Sequence, residues 1–193
     1  MRDNEAEWRE HLDLHLIVAD RTHKPLQVWQ LRLSAADLNS FCLSKAHYHL
    51  FFDGAAKGNP GRSGAGGVIK DAVGTMVLCY AWGVGYTTSI QAEALALLQG
   101  LKQLKELGIT VASVFGDSQT IIKIMVDNSS PSDTRLSRLI RRIRTLSKAF
   151  QRLSFYHVLR DNNSEADTEA NKAVSLPPGV INSMGNESRD PIP

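Results

Sequence analysis

The rhythm of apolar and polar positions divides this chain into strands and helices before any motif is considered. Residues 48–53 (YHLFFD) and 111–117 (VASVFGD) are short aromatic and β-branched runs closed by turn or helix-start residues, the pattern of buried strands. Between them, residues 65–70 and 75–81 flank Asp71-Ala72-Val73-Gly74, a hairpin signal, so three consecutive strands read as an antiparallel meander. Over 91–107 the spacing becomes helical: Leu97, Leu101 and Leu104 fall on one stripe, and Gly108 stops the helix. The strand at 111–117 then returns parallel to the first, a β-α-β crossover that lays the helix on the sheet. A helix opened by Ser118 and Gln119 runs through about Met125, and an amphipathic helix begins near Thr134 with Leu136, Leu139, Ile140, Ile143 and Leu146 inward. A strand over 153–158 and a last helix from about Ser164 complete the pattern. The expectation is an α/β fold built on a five-stranded mixed sheet, three strands antiparallel and then two parallel, with helices on both faces.

Composition sets the boundaries. With 193 residues and 42% hydrophobic content, the chain can bury one sizeable core. No apolar run is long enough to span a bilayer. The opening MRDNEAEWRE is too acidic and polar for a targeting peptide. Cys42 and Cys79 are the two cysteines, and His47 and His49 complete no recognisable zinc pattern beside them. A reducing, intracellular setting is expected, nucleus and cytoplasm alike, and the expected state is a monomer. Residues 1–46 carry no readable motif, although 5–18 can form an amphipathic helix and Ser34 can cap another beginning at Ala35. Residues 47–175 are the patterned domain. The Pro-, Ser- and Asn-rich stretch 176–193 reads as a disordered tail.

Net charge is only +2, so the bulk balance announces no polyanion partner. The basic residues are unevenly spread, however: Arg135, Arg138, Arg141, Arg142, Arg144, Lys148 and Arg152 follow one another with no acid among them. They read either as phosphate contacts or as the solvated face of a helix.

Four acids carry the candidate chemistry. Asp53 and Asp117 end apolar strands, Glu93 shares the stripe of Leu97, Leu101 and Leu104, and Asp167 shares a face with Ala170 and Val174. A charge on a packed side is costly, and several carboxylates gathered together repel, so a shared divalent cation is the natural reason to assemble them. Singly, each acid reads equally as a turn or helix-start residue.

Taken in order, FFDGAAKGNPG-x-x-GAGGVI, QAEALAL, GDSQ and HVLRDNNSEAD-x-x-AN resemble the type 1 ribonuclease H domain, particularly the variety found alone or in plant retroelements. The resemblance covers roughly residues 47–175 and implies the ribonuclease H-like fold. It also implies that Asp53, Glu93, Asp117 and Asp167 are the metal-binding and catalytic set. The implied reaction is hydrolysis of the RNA strand of an RNA/DNA hybrid by two Mg²⁺ ions about 3.5–4 Å apart, with Mn²⁺ a possible substitute. Gly54, Ala55, Gly58 and Asn59 fall in the segment that reads 2′-hydroxyls in the family, and Ser118 and Gln119 match further hybrid contacts.

Two departures mark the subtype. Thr88-Ser89-Ile90 stands where many relatives carry Asn-Asn, and a short Leu159–Asn163 connection replaces the loop that holds a mobile catalytic His in bacterial enzymes. His157 lies before that connection, inside the strand, where a structural role is expected. From a different class, the competing expectation is a domesticated retroelement fragment that binds nucleic acid or protein with little catalysis.

Overall fold

The computed structural model describes residues 28–185. Its sheet has seven strands rather than five. β1 (Gln30–Leu31), β2 (Tyr48–Gly58), β3 (Gly61–Lys70), β4 (Met76–Thr87), β5 (Val111–Gly116), β6 (Arg152–Val158) and β7 (Ile181–Gly185) lie in the order β1-β6-β5-β2-β3-β4-β7. The meander β2-β3-β4 is antiparallel, and β5 and β6 join β2 in parallel, as the alternation predicts. The two additional strands are the edges: β1 pairs parallel with β6, and β7 pairs antiparallel with β4.

Neither edge strand announces itself in sequence, for a physical reason. β1 is two residues long, too short for any period. β7 (INSMG) is exposed along its whole length, so the main-chain ladder to Leu78–Trp82 holds it rather than an apolar face. The tail expected from residue 176 therefore contains a strand; residues 186–193 lie outside the described part, as does the helix expected over 5–18.

Helices α1 (Ala35–Lys45), α2 (Ser89–Glu106), α3 (Gln119–Val126), α4 (Thr134–Ser147) and α5 (Ser164–Ala173) cover both faces. Strand alternation assigns each side. Leu50, Phe52 and Val114 pack with Leu97, Leu101, Ile121 and Ile140 of α2, α3 and α4, while Phe51 and Phe115 pack with Leu38, Phe41 and Ala166 of α1 and α5. Among the described helices none is long and apolar enough to cross a membrane.

α1 begins where Ser34 allows it to. The Ser34 hydroxyl oxygen accepts from the Asp37 backbone N–H, which satisfies one of the otherwise unpaired first-turn donors. Phe41 meets the Phe115 and Tyr156 rings edge-on at 6.4 and 5.2 Å. Burying Leu38 and Phe41 contributes about 1.5–3 kcal/mol each, so α1 belongs to the core.

Close approach of backbone fixes the site's framework. β2 continues five residues past Asp53, pairing from Asp53↔Gly66 to Gly58↔Gly61, although Gly and Ala are weak strand formers. Their small size is used on both faces. A Cβ on Gly54 would lie 2.2 Å from the Glu93 backbone nitrogen, and one on Gly66 would lie 2.2 Å from that of Ala170. Glycine there lets α2 and α5 sit directly on the strands that carry the first carboxylate.

Candidate active site

β2 pairs with β5 only as far as Phe51↔Phe115, whose rings stack at 4.7 Å. Beyond that point β5 ends at Gly116 and β2 runs on, leaving a notch at the C-terminal end of the parallel pair. Asp53 from β2, Asp117 just past β5 and Glu93 from the first turns of α2 converge in it. One carboxylate oxygen from each of the three lies within 4.8 Å of the others.

Asp167, the fourth expected member, is not part of that close group. Its Oδ1 accepts from Arg160 Nη2 at 3.0 Å and its Oδ2 from Asn171 Nδ2 at 2.9 Å. It stands near enough for its charge to raise the pKa of Asp53.

Electrostatics record the cost of this assembly. Asp53 is only 6% exposed, and its pKa is raised from 3.8 to about 7, first by burial and then by the charge of Asp117. The Gly54 N–H opposes that rise. Glu93 is held well above the ordinary range by burial, then by Asp53 and Asp117. Its Oε2 is shielded from solvent and has no hydrogen-bond partner. A buried acceptor of this kind costs about 1–3 kcal/mol unless something meets it. An all-carboxylate donor set around such an oxygen suits a hard divalent cation, which takes oxygen ligands.

Asn163 is a site residue that the sequence reading does not single out. An Asn opening a helix suggests a cap, yet Asn163 makes no capping bond to α5. Its buried Nδ2 donates instead to the Phe52 carbonyl at 2.9 Å and to Asp117 Oδ1 at 3.1 Å, bridging β2 and the end of β5. The only sequence signal is the asparagine pair at a strand–helix junction. His157 has the structural role its position suggests: its Nε2 meets the Asp117 carbonyl oxygen at 3.1 Å.

An open groove of about 480 Å³ adjoins Glu93, lined by Asn59, Thr88, Ser89, Gln91, Ser118 and Asp133 among others. Two of the six expected nucleic-acid contacts, Asn59 and Ser118, thus face the same space as Glu93. Gly58 and Gln119 are exposed, and Ala55 is half-buried on the strand arm. Gly54 primarily makes room for α2.

The Thr88-Ser89 substitution has a local logic. Thr88 caps α2 by accepting from Gln91 N–H at 3.3 Å, and the Ser89 N–H donates to Asn59 Oδ1 at 3.1 Å, tying the β2–β3 turn to the helix start. On α4, Arg138, Arg141 and Arg142 are exposed, whereas Arg144 donates to the Ile124 and Ser129 carbonyls at 2.9 and 2.6 Å. Arg144 is therefore a fastener of the α3–α4 connection rather than a solvated charge.

Comparison with known proteins agrees with this geometry. The family described as "Reverse transcriptase-like" matches residues 51–173. A "Ribonuclease HI" of Halobacterium salinarum is 35% identical over 126 residues, 65% of this chain and 63% of that protein. The chain thus spans less than two thirds of that relative, and 34% of a bifunctional protein of Mycobacterium tuberculosis that is 32% identical over 123 residues.

Among solved structures, the ribonuclease H1 of Halobacterium salinarum superposes with a TM-score of 0.64 at 34% identity, covering 66% of this chain and 97% of that one. The N-terminal ribonuclease H domain of the mycobacterial protein gives 0.64 at 30% identity, covering 67% and 94%. A compost-metagenome ribonuclease H1 solved in complex with an RNA/DNA hybrid gives 0.63 at 29%, covering 66% and 96%.

Proposed function

The chain belongs to the type 1 ribonuclease H family, and from that premise we propose that it is an endoribonuclease that hydrolyses the RNA strand of RNA/DNA hybrids. The observation that carries the reading is the convergence of Asp53, Glu93 and Asp117 with the unpartnered Glu93 Oε2. That arrangement is expensive for a module that only binds, and useful for one that holds a cation. The hybrid bound by the compost-metagenome relative supports the same substrate class.

Asp53, Glu93 and Asp117 would hold divalent cations, Mg²⁺ in the first instance with Mn²⁺ as a substitute, and Asp167 would complete the set once released by Arg160. When bound, the cations supply activation of the attacking water and neutralisation of charge on the phosphate and the departing 3′ oxygen. The protein's own groups do the remainder. Asn163 fixes the orientation of the Asp117 carboxylate by donating to its Oδ1. Gly54 admits α2 so closely that Glu93 reaches Asp53. Asn59 and Ser118 line the groove beside Glu93, where they can donate to a minor-groove edge or a sugar hydroxyl. The phosphodiester P–O3′ bond breaks, and water delivers a hydroxyl to phosphorus, leaving a 3′-hydroxyl and a 5′-phosphate.

A substrate panel tests the reading. Full-length protein in Mg²⁺ is expected to cut the RNA strand of a labelled hybrid and to leave double-stranded DNA intact. Absence of hybrid cleavage in both Mg²⁺ and Mn²⁺ would overturn it in favour of a binding module.

A further inference from the structure

The turn between β6 and α5 directs successive side chains in opposite directions. Arg160 reaches Asp167, and Asn163 reaches inward to Phe52 and Asp117. Asn162, between them, turns the other way and donates its Nδ2 to the Leu33 carbonyl at 2.8 Å. Leu33 sits in the link from β1 to α1 and packs on the apolar cluster beneath the sheet.

That link belongs to a segment outside the family match, which begins at residue 51. Yet the segment is not loosely attached. β1 pairs Gln30↔His157 and Leu31↔Val158, and the His157 N–H donates to the Trp29 carbonyl at 2.7 Å. α1 is seated by Phe41 against Phe115 and Tyr156. The Leu33 carbonyl is therefore held from two sides, and it is a fixed acceptor for a turn whose next residue orients Asp117.

We propose that Asn162 is a positioning residue of the active centre: by anchoring the Arg160–Asn163 turn to the Leu33 carbonyl, it sets Asn163 against Asp117 and makes residues 28–46 a working part of the site. The proposal rests on the reading of the carboxylates as a cation-dependent hydrolytic site. It assigns to the N-terminal segment a role in turnover that burial alone does not supply. Asn162 touches neither the carboxylate cluster nor the groove, so its effect passes through the turn it anchors, by Asn163 to Asp117 and by Arg160 to Asp167.

The test uses the full chain with Asn162→Ala, Phe41→Ala and the double variant, each assayed well below its own melting midpoint. Four quantities are read: kcat, KM for hybrid, the Mn²⁺ dissociation constant by calorimetry, and thermal melting in EDTA. Asn162→Ala is expected to lower kcat about tenfold and weaken Mn²⁺ binding about threefold, with KM for hybrid within about twofold. In the Phe41→Ala background, where the acceptor's support is loosened, the same substitution is expected to cost less, because coupled residues are not additive.

A folded Asn162→Ala protein that matches wild type in kcat and in Mn²⁺ affinity would overturn the anchor. Strictly additive losses in the double variant would overturn its dependence on α1. A wild type that neither cleaves hybrid nor binds Mn²⁺ would refute the underlying reading of the site and the anchor with it. Should Phe41→Ala fail to fold, the comparison of Asn162→Ala with wild type still decides the proposal.

Discussion

Asp53→Asn separates what the carboxylate does for chemistry from what it costs the fold. The side chain is 6% exposed, and its pKa stands at about 7 rather than 3.8. That gap corresponds to about 4 kcal/mol held against the ionised form in metal-free protein. Because the folded-state pKa is raised, Asp53 weighs least on stability at low pH, where it is protonated in both folded and unfolded chains. Its penalty grows as pH rises through the interval from 3.8 to about 7, and is complete above it.

The asparagine variant escapes that penalty. About 1–3 kcal/mol of that gain is offset by an amide left short of partners. The net expectation at pH 8 in EDTA is a melting midpoint raised by about 2–12 °C, using about 2–4 °C per kcal/mol at this size. The variant's advantage should shrink as pH falls and give way near pH 4 to a deficit of about 1–3 kcal/mol, where only the amide's cost remains, and hybrid cleavage in Mg²⁺ should be lost throughout. Calorimetric melting of both proteins in EDTA from pH 4 to 8 reads this directly. A large drop in the variant's midpoint at pH 8 would refute the reasoning, since Asp53 would then be a structural partner rather than a strained ligand.

Gly54→Ala puts a Cβ 2.2 Å from the Glu93 nitrogen, so α2 must shift; a loss of about 1–3 kcal/mol with collapse of cleavage is expected, and a silent variant would deny the close approach its role. Replacing Arg138, Arg141 and Arg142 by Gln should flatten the log–log salt dependence of hybrid binding by about 0.9 per lost phosphate contact, with saturated single-turnover cleavage little changed; an unchanged slope would leave these arginines as a solvated face. Arg144→Gln should instead lower stability by about 1–3 kcal/mol, because the Ile124 and Ser129 carbonyls lose their donor. His49, buried and pushed down to about 4, should titrate near that value by NMR and oppose folding as pH falls from about 6.5 to 4; a midpoint near 6.5 would contradict its burial.

Legibility followed the physics of each element. The meander, the crossover helix and the three converging carboxylates could be read because burial leaves a periodic trace: Leu97, Leu101 and Leu104 mark the stripe that Glu93 shares. β1 hides because two residues carry no period even though Leu31 is buried, and β7 because main-chain pairing rather than an apolar face holds it. The strand expected to close at residue 53 runs on to Gly58, an extension without strand propensity because its small residues serve helix approach. Asn163 was invisible for a different reason. A buried amide that bridges two backbone segments leaves no period, and its partners at Phe52 and Asp117 lie 111 and 46 residues away. Asp167 shares its helix face with the buried Ala170 and Val174, but its engagement with Arg160 is a tertiary fact that no spacing records.

One measurement bears most directly on the central claim that Asp53, Glu93 and Asp117 form a cation-dependent site for RNA hydrolysis in hybrids. An end-labelled RNA/DNA hybrid is incubated with wild type and Glu93→Gln in Mg²⁺ and in EDTA, and the product ends are identified. The account predicts cleavage by wild type in Mg²⁺ alone, with 3′-hydroxyl and 5′-phosphate ends, and none by Glu93→Gln although the hybrid still binds. Cleavage that persists in EDTA or in Glu93→Gln, or products ending in a 2′,3′-cyclic phosphate, would contradict it.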